Sequence, residues 1–256
     1  MFRTAIVRRP ARSLVSGLTS SPHLGAPDYG KALRQHDAYI RALESCGLSV
    51  TVLEALEEYP DSCFVEDTAF CLPDRAVLTN PGAPSRKGEV EDMERALRSF
   101  YAPDRIFRIR APGTLEGGDI LRADGEVFVG LSDRTNREGA VQFLTLLRDW
   151  GIPGQPVPVT GVLHLKTGLS YLDGGRLLVT WEFAEYPPFR EFEKIPVPEE
   201  EAYAANCLWM NGSVLVPEGY PRVRKAVENR GYRVLSVDTS EFRKIDGGLT
   251  CLSLRF

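Results

Sequence analysis

Asx turns recur along this chain between short apolar runs, and they constrain its fold more than any other feature. "LEGGDILRADGEVFVGLSDR" turns at Asp124-Gly125, "LHLKTGLSYLDGGRLLVTWE" at Asp173-Gly174, and "AANCLWMNGSVLVPEGY" at Asn211-Gly212. "FVEDTAFCLPDRAVLTNPG" places a Pro73-Asp74 turn in the same setting. Asx-Gly between apolar runs is a strong hairpin signal, because both turn residues must adopt positive φ. A doubly wound parallel sheet needs crossovers instead, so the density of hairpins disfavours it.

Helical periodicity fills the spaces between hairpins. "YGKALRQHDAYIRALESCG" sets Leu33, His36, Tyr39, Ile40 and Leu43 at helical spacing, stops at Gly47 and runs into the strand-like "LSVTVL". "EVEDMERALRSFY" aligns Val90, Met93, Leu97 and Phe100, while "NREGAVQFLTLLRDWG" and "YPRVRKAVENRGYRVLSV" repeat the helix that ends near glycine. The unit is therefore strand, turn, strand, helix, strand, at a period of roughly 40–50 residues, which indicates a propeller or array. "GGLTCLSLRF" is half a unit, to be completed by the first strand and helix of the chain. The expected class is α/β, a ring of five short mixed sheets closed by both termini. The Pro-rich "PPFREFEKIPVPEEE" reads as a surface excursion between units, so one domain over residues 1–256 is expected.

Composition sets outer bounds. An apolar fraction of 43% suffices for a full core. With 31 basic and 35 acidic residues the net charge is −4, which argues against a nucleic-acid or anionic-membrane surface. No apolar run approaches the ~18 residues needed to span a bilayer. "MFRTAIVRRPARSLV" has too short an apolar stretch for a signal peptide. Five scattered cysteines without a C-x-x-C pair suit reduced thiols, and a cytoplasmic protein is expected.

In such a ring the starts of the units meet near the axis. They read "DSCFVED", "GTLEGGD", "LHLKT", "AAN" and "GGLTC". Taken singly, Cys251 reads as a buried core thiol and His164 as a hydrogen-bonded core histidine. Glu116 alone reads as a solvated turn residue. Glu66 and Asp67, expected inside an apolar strand, need a partner or a cation if buried. Together these residues supply what a covalent site requires: a nucleophile, a base within reach, and a group that orients the base.

"FVEDTAF", "LEGGDIL", "RTN", "LHLKTGLSYL", "YAANC" and "IDGGLTCLSLRF", with "PARSLVSGLTSS" near the start, resemble the dimethylarginine dimethylaminohydrolase family along essentially the whole chain. The resemblance implies the guanidino-group-modifying (pentein) fold, a five-unit pseudo-symmetric β/α propeller with outer helices. It also implies hydrolysis of Nω,Nω-dimethyl-L-arginine, or the monomethyl form, to L-citrulline and an amine. At matching positions Cys251 is implied as nucleophile, His164 as acid/base and Glu116 as the carboxylate orienting it. Asp67 with Glu66 would anchor the guanidinium. Asp61 and the Leu18 carbonyl would contact the α-amino group, Arg86 and Arg134 the α-carboxylate, and the Ile245 carbonyl would face the substrate. The implied partner is a small methylated arginine, with no nucleic acid, no membrane and no cofactor; a homodimer is left open. With only His23, His36 and His164 available, a zinc site would need an unusual ligand set.

Two rival functions remain at this level. Arginine deiminases resemble the chain at the histidine and cysteine but typically carry an acid two residues after the histidine, where this chain has Lys166. A non-catalytic binder would be expected to have lost one of Cys251, His164 and Glu116. The Gly/Ser/Pro-rich loop over residues 13–30 is long enough for a functional lid or mobile segment, with a plain surface connection as the alternative; Leu18 near the ligand would favour the lid.

Overall fold

The computed structural model describes residues 1–256 and contains five three-stranded sheets. The first sheet combines both ends of the chain: β1 (Thr4–Arg8) lies between β2 (Ser49–Leu53), its parallel neighbour, and β15 (Leu254–Arg255), its antiparallel one. The second has β3 (Ala69–Leu72), β4 (Arg75–Leu78) and β5 (Ile106–Arg108). The third has β6 (Ile120–Ala123), β7 (Glu126–Leu131) and β8 (Gly154–Pro158). β9 (Leu169–Tyr171), β10 (Arg176–Val179) and β11 (Glu193–Pro196) form the fourth. The fifth is β12 (Leu208–Met210), β13 (Ser213–Pro217) and β14 (Arg233–Val237). In every sheet the central strand pairs antiparallel with one neighbour, its hairpin partner in four sheets and β15 from the far end of the chain in the first, and parallel with the strand returning after the connection.

Local chemistry explains these elements. Asp124 and Gly125 have φ of 46° and 84°, and Asn211 and Gly212 have 49° and 90°, as a two-residue hairpin turn requires. Helix Tyr29–Ser45 starts at Asp28, whose side chain accepts the Lys31 N–H. Helix Arg137–Asp149 starts at Asn136, which accepts the Gly139 N–H at 2.8 Å. Helices Glu89–Leu97 and Pro221–Glu228 serve the second and fifth sheets.

Three details differ from the sequence reading. The proline-rich segment is not merely an excursion, because it contains β11. As an edge strand paired on one side only, β11 tolerates a proline at its end. The connection before it holds only one helical turn, Trp181–Ala184, and a 3-10 turn at Pro187–Phe189. Glu66 and Asp67 sit on a 3-10 turn, Val65–Thr68, rather than in a strand; β3 begins only at Ala69.

That turn has counterparts in every sheet. Gly117–Asp119, Leu165–Gly168, Glu199–Ala205 and Thr250–Leu252 are all short helical turns just ahead of the first hairpin strand. The apolar core is likewise fivefold, with one cluster at each seam between neighbouring sheets. At the closing seam Ala5 and Val7 of β1 pack with Leu208, Met210 and Leu215 from the fifth sheet. No helix is long and apolar enough to cross a membrane.

His36 is the exception in this apolar packing. It is fully buried on helix Tyr29–Ser45, and neither ring nitrogen has a hydrogen-bond partner. Burial, aided by the Arg9 charge, pushes its imidazole down to about 4. The unfolded chain therefore binds a proton below its ordinary value of 6.5 that the folded chain refuses until about pH 4. Stability is lost as pH falls through that window, by about 2–3 kcal/mol between neutral pH and its lower end. Urea unfolding across the window should show this loss in the wild type and a flatter limb in His36→Phe; parallel curves would remove His36 as the cause.

Candidate active site

The five helical turns bring their side chains to the axis. Leu18, Asp61, Asp67, Arg86, Glu116, Arg134, His164, Ile245 and Cys251 line one pocket. Glu66, the remaining residue of the sequence-derived set, faces elsewhere. It lines the axial cavity bounded by the first hairpin strands, together with Lys166 and Arg255. Its Oε1 accepts from Lys166 Nζ and from Arg255, each at 2.6 Å, while Oε2 is buried without a partner.

Cys251 sits in the middle of its 3-10 turn and accepts the Gly248 N–H at 3.4 Å. It is partly exposed, whereas Cys63 and Cys207 are buried. Asn206 fixes this turn: its Oδ1 accepts the Thr250 N–H at 3.0 Å, and its amide donates to the Lys166 carbonyl at 2.9 Å. Burial and the Asp67 and Glu66 charges push the Cys251 thiol up to about 12, against the Gly248 N–H and Lys166, which favour the thiolate.

His164 lies at the start of the Leu165–Gly168 turn, its N–H donated to Thr167 Oγ1 at 3.2 Å. Its Nε2 is 2.7 Å from Glu116 Oε2. Burial alone would depress the imidazole, but the Glu116 hydrogen bond and the charges of Asp67, Asp119 and Glu116 carry it up to about 9. Gly118 allows this approach, since a Cβ there would stand 2.8 Å from the imidazole ring.

Asp67 accepts the Gly118 N–H on Oδ1 at 3.0 Å and pairs Arg86 through Oδ2. Burial would raise its carboxyl, but Arg86 and His164 hold it below the ordinary value. Asp61 is pushed the other way: burial raises it, opposed by Arg86 and the Leu18 N–H, which it accepts at 3.0 Å. The loop carrying Leu18 is tied again where Ser20 Oγ donates to Asp246 at 2.9 Å.

The two arginines differ in freedom. Arg86 is 4% exposed and donates to both Glu89 oxygens at 3.0 and 2.8 Å, to Asp67 and to the Phe64 carbonyl. Arg134 is more open, with a single ionic neighbour, Glu116 Oε1, at 3.6 Å. Asp67, Glu116 and His164 place ligand atoms within 4.8 Å of one another, but those atoms are committed to Arg86, the Gly118 N–H and the His164–Glu116 bond.

Sequence reasoning left three participants without a role. Asp119 follows directly on the quoted "EGG". Asn206 was noted among the converging residues without a function, and Arg255 looks like an ordinary strand residue. The available signal was the pairing of a charged residue with glycines at a unit start, but only coordinates reveal what each one touches.

A five-sheet β/α propeller with a cysteine, a histidine and two carboxylates at its axis defines the pentein class of guanidino-modifying proteins. Comparison narrows this. Residues 28–168 match the sequence family described as N,N dimethylarginine dimethylhydrolase, eukaryotic. An N(G),N(G)-dimethylarginine dimethylaminohydrolase of Pseudomonas aeruginosa is 54% identical over 256 residues, covering all of both chains. A solved structure of the Pseudomonas aeruginosa enzyme, a cysteine-to-serine variant complexed with citrulline, superposes with a TM-score of 0.98 at 53% identity and full coverage of both chains. A histidine-to-glycine variant of dimethylarginine dimethylaminohydrolase, as an adduct with S-methyl-L-thiocitrulline, gives 0.97, again at 53% identity and full coverage. The chain belongs to the dimethylarginine dimethylaminohydrolase family.

The contrast between the arginines is testable. Arg86→Ala would strand Asp67 and Glu89 as buried, unpaired charges, a loss of about 3–5 kcal/mol. Arg134→Ala should leave the melting temperature near that of the wild type. Equal thermal shifts for the two variants would contradict this division.

Proposed function

We propose that this protein hydrolyses Nω,Nω-dimethyl-L-arginine and Nω-methyl-L-arginine to L-citrulline, releasing dimethylamine or methylamine through a covalent intermediate on Cys251. The observation carrying the reading is the gathering of Cys251 with the bonded His164–Glu116 pair and the ionised Asp67 in one pocket. Its support also comes from the relatives, among them a structure holding citrulline and one holding a thiocitrulline adduct. On this reading residues 1–256 work as one domain, since each sheet shares its core with both neighbours.

The guanidinium carbon is a poor electrophile because three nitrogens share its charge. Asp67 keeps the group charged and fixes its plane. The arriving cation offsets the carboxylates that hold the Cys251 thiol protonated, so the thiol loses its proton to solvent, His164 being already charged, and thiolate forms beside the carbon it attacks. The thiolate adds, and His164 protonates the departing amine as the C–N bond breaks, leaving an S-alkyl thiouronium. His164, now neutral, takes a proton from water. The water oxygen adds to the same carbon, and as the C–S bond breaks with its electron pair on sulfur the remaining hydroxyl proton is lost, regenerating the thiol and freeing neutral citrulline. Glu116 holds the imidazole through Nε2 and stabilises its charged form.

Asp61 would pair the substrate ammonium beside the Leu18 and Ile245 backbone, and Arg134 with the remaining donor capacity of Arg86 would hold the carboxylate. Glu66 turns into the axial cavity and leaves Asp67 as the carboxylate that faces a guanidinium in the Cys251 pocket, which favours methylated over free arginine. Two methyl groups remove two of the five guanidinium N–H donors, so the methylated end needs fewer acceptors. A deiminase would need more acceptors than this site leaves free.

Purified protein should release dimethylamine and citrulline from dimethylarginine, and Cys251→Ser should abolish turnover while remaining folded. Turnover by that variant at the parental rate would remove Cys251 from its role, and a higher kcat/KM for arginine would favour the deiminase. The C-terminal amide of dimethylarginine lacks the charge Arg134 would pair. It should therefore react about ten- to a hundredfold more slowly than the free acid, and Arg134→Ala should erase most of that difference. Equal wild-type activity on acid and amide would overturn the assignment. In the free protein the thiolate absorbance of Cys251 should be absent at neutral pH and grow only toward about 12.

A further inference from the structure

Asp119 is fully buried and lines neither pocket at the Cys251 end of the axis, yet three segments of the site meet on its carboxylate. Oδ1 accepts the Leu165 N–H at 2.9 Å, holding the first peptide of the turn that starts at His164. Oδ2 accepts two hydroxyls, from Ser132 and Thr135, each at 2.7 Å. Thr135 Oγ1 in turn accepts the Glu116 N–H at 3.1 Å. Ser132 Oγ accepts the Arg134 N–H at 3.0 Å. Asp119 thus reaches Glu116 through one hydroxyl, Arg134 through another, and the residue after His164 directly. Gly130 makes room for it, since a Cβ there would stand 2.6 Å from Oδ1.

We infer that Asp119 is a positioning residue: its two oxygens lock the backbones of Glu116, Arg134 and His164 into one frame, so that the acid/base pair and the carboxylate-holding arginine keep their mutual geometry through the reaction. The inference rests on the enzymatic reading above. Glu116 and His164 lie on turns of different sheets, 48 residues apart, and are joined otherwise by the bond between their own side chains.

The carboxylate has an electrostatic role as well as a geometric one. The carboxylates acting on the imidazole are Glu116, Asp67 and Asp119, and the pockets it lines also hold Asp61, Arg86, Arg134, Lys166, Tyr203, Asp246 and Cys251. Of the carboxylates, Glu116 touches the ring, Asp67 pairs Arg86, and Asp119 acts from behind on the peptide that follows the histidine. Misplacement of a general acid by even a fraction of an ångström lowers the rate of the chemical step more than it lowers binding.

The test is Asp119→Asn, which preserves shape and the Leu165 acceptor but presents an amide where two hydroxyls donated. With dimethylarginine, kcat should fall about ten- to a hundredfold with KM held within about threefold. Separately, in a Cys251→Ser background, the His164 imidazole titration followed by NMR should move down from about 9 when Asp119 becomes Asn. If Asp119→Asn does not fold, Thr135→Val and Ser132→Ala each remove one donor to the same oxygen, and each should lower kcat with KM preserved. A folded Asp119→Asn with wild-type kcat and an unmoved His164 midpoint, even with a reduced melting temperature, overturns the proposal, as does a loss confined to KM. The titration is read on the resting protein, so it decides the role of Asp119 even if the wild type releases no amine. Wild-type turnover with an unmoved midpoint sinks this inference alone.

Discussion

Two residues at the end of the chain close the ring: Leu254 and Arg255 pair antiparallel with Ile6 and Ala5. The pairing is short, but it is reinforced when Arg3 and Thr4 donate their N–H groups to the Phe256 carbonyl at 2.9 Å. Without it the first sheet would lack a strand, and the Thr250–Leu252 turn carrying Cys251 would depend on that side on the Tyr39 hydroxyl, which bonds the Leu249 carbonyl and Ser253 Oγ at 2.9 and 2.6 Å. Closing a loop across the whole chain costs more entropy than any other contact in the fold, yet the cost rises only logarithmically with length. Closure also gives each sheet two neighbours, so every seam has an apolar cluster.

The ring concentrates charge at its axis, since every sheet points a helical turn there. Buried charges persist only when paired, and the pairing follows a pattern. Arg86 serves Asp67 and Glu89, Glu66 serves Lys166 and Arg255, and His164 serves Glu116. The first group lies along the pocket that holds Cys251, and the second divides this pocket from the axial cavity beyond it. The groups least fully paired are Arg134, Asp61 and Cys251, which are those that a substrate's carboxylate, ammonium and guanidinium carbon would meet.

The architecture was legible because it depends on turns and periods. Asp124-Gly125 and Asn211-Gly212 mark hairpins through a backbone requirement that few residues meet, and the ring with terminal closure follows from counting the units. The converging site was legible as a set, since the unit starts carry its residues. What stayed hidden depends on direction. Glu66 and Asp67 are adjacent on one 3-10 turn, which sends Asp67 into the Cys251 pocket and Glu66 to the axial cavity. Asp119 carries no distinguishing pattern, because its importance lies in two hydroxyls from another segment, Ser132 and Thr135. The strand β11 was obscured by the prolines around it, whose meaning changes at a sheet edge.

The resting electrostatics couple selectivity to reactivity. The same carboxylate, Asp67, raises the pKa of the Cys251 thiol and helps to hold His164 charged, up to about 9. Both shifts favour a protonated thiol and an imidazolium in the free site, a state with an acid but no nucleophile. On the reading proposed above, a guanidinium entering against Asp67 would supply the missing positive charge, so the thiol would ionise only with the group it attacks in place. Citrulline has the same backbone and α-groups, but its ureido end is neutral. It offsets none of the carboxylate charge and leaves the thiol protonated. On the proposed reading, one unit of charge would thus separate binding of the product from activation of the nucleophile, so that the same pocket would attack one molecule and release the other.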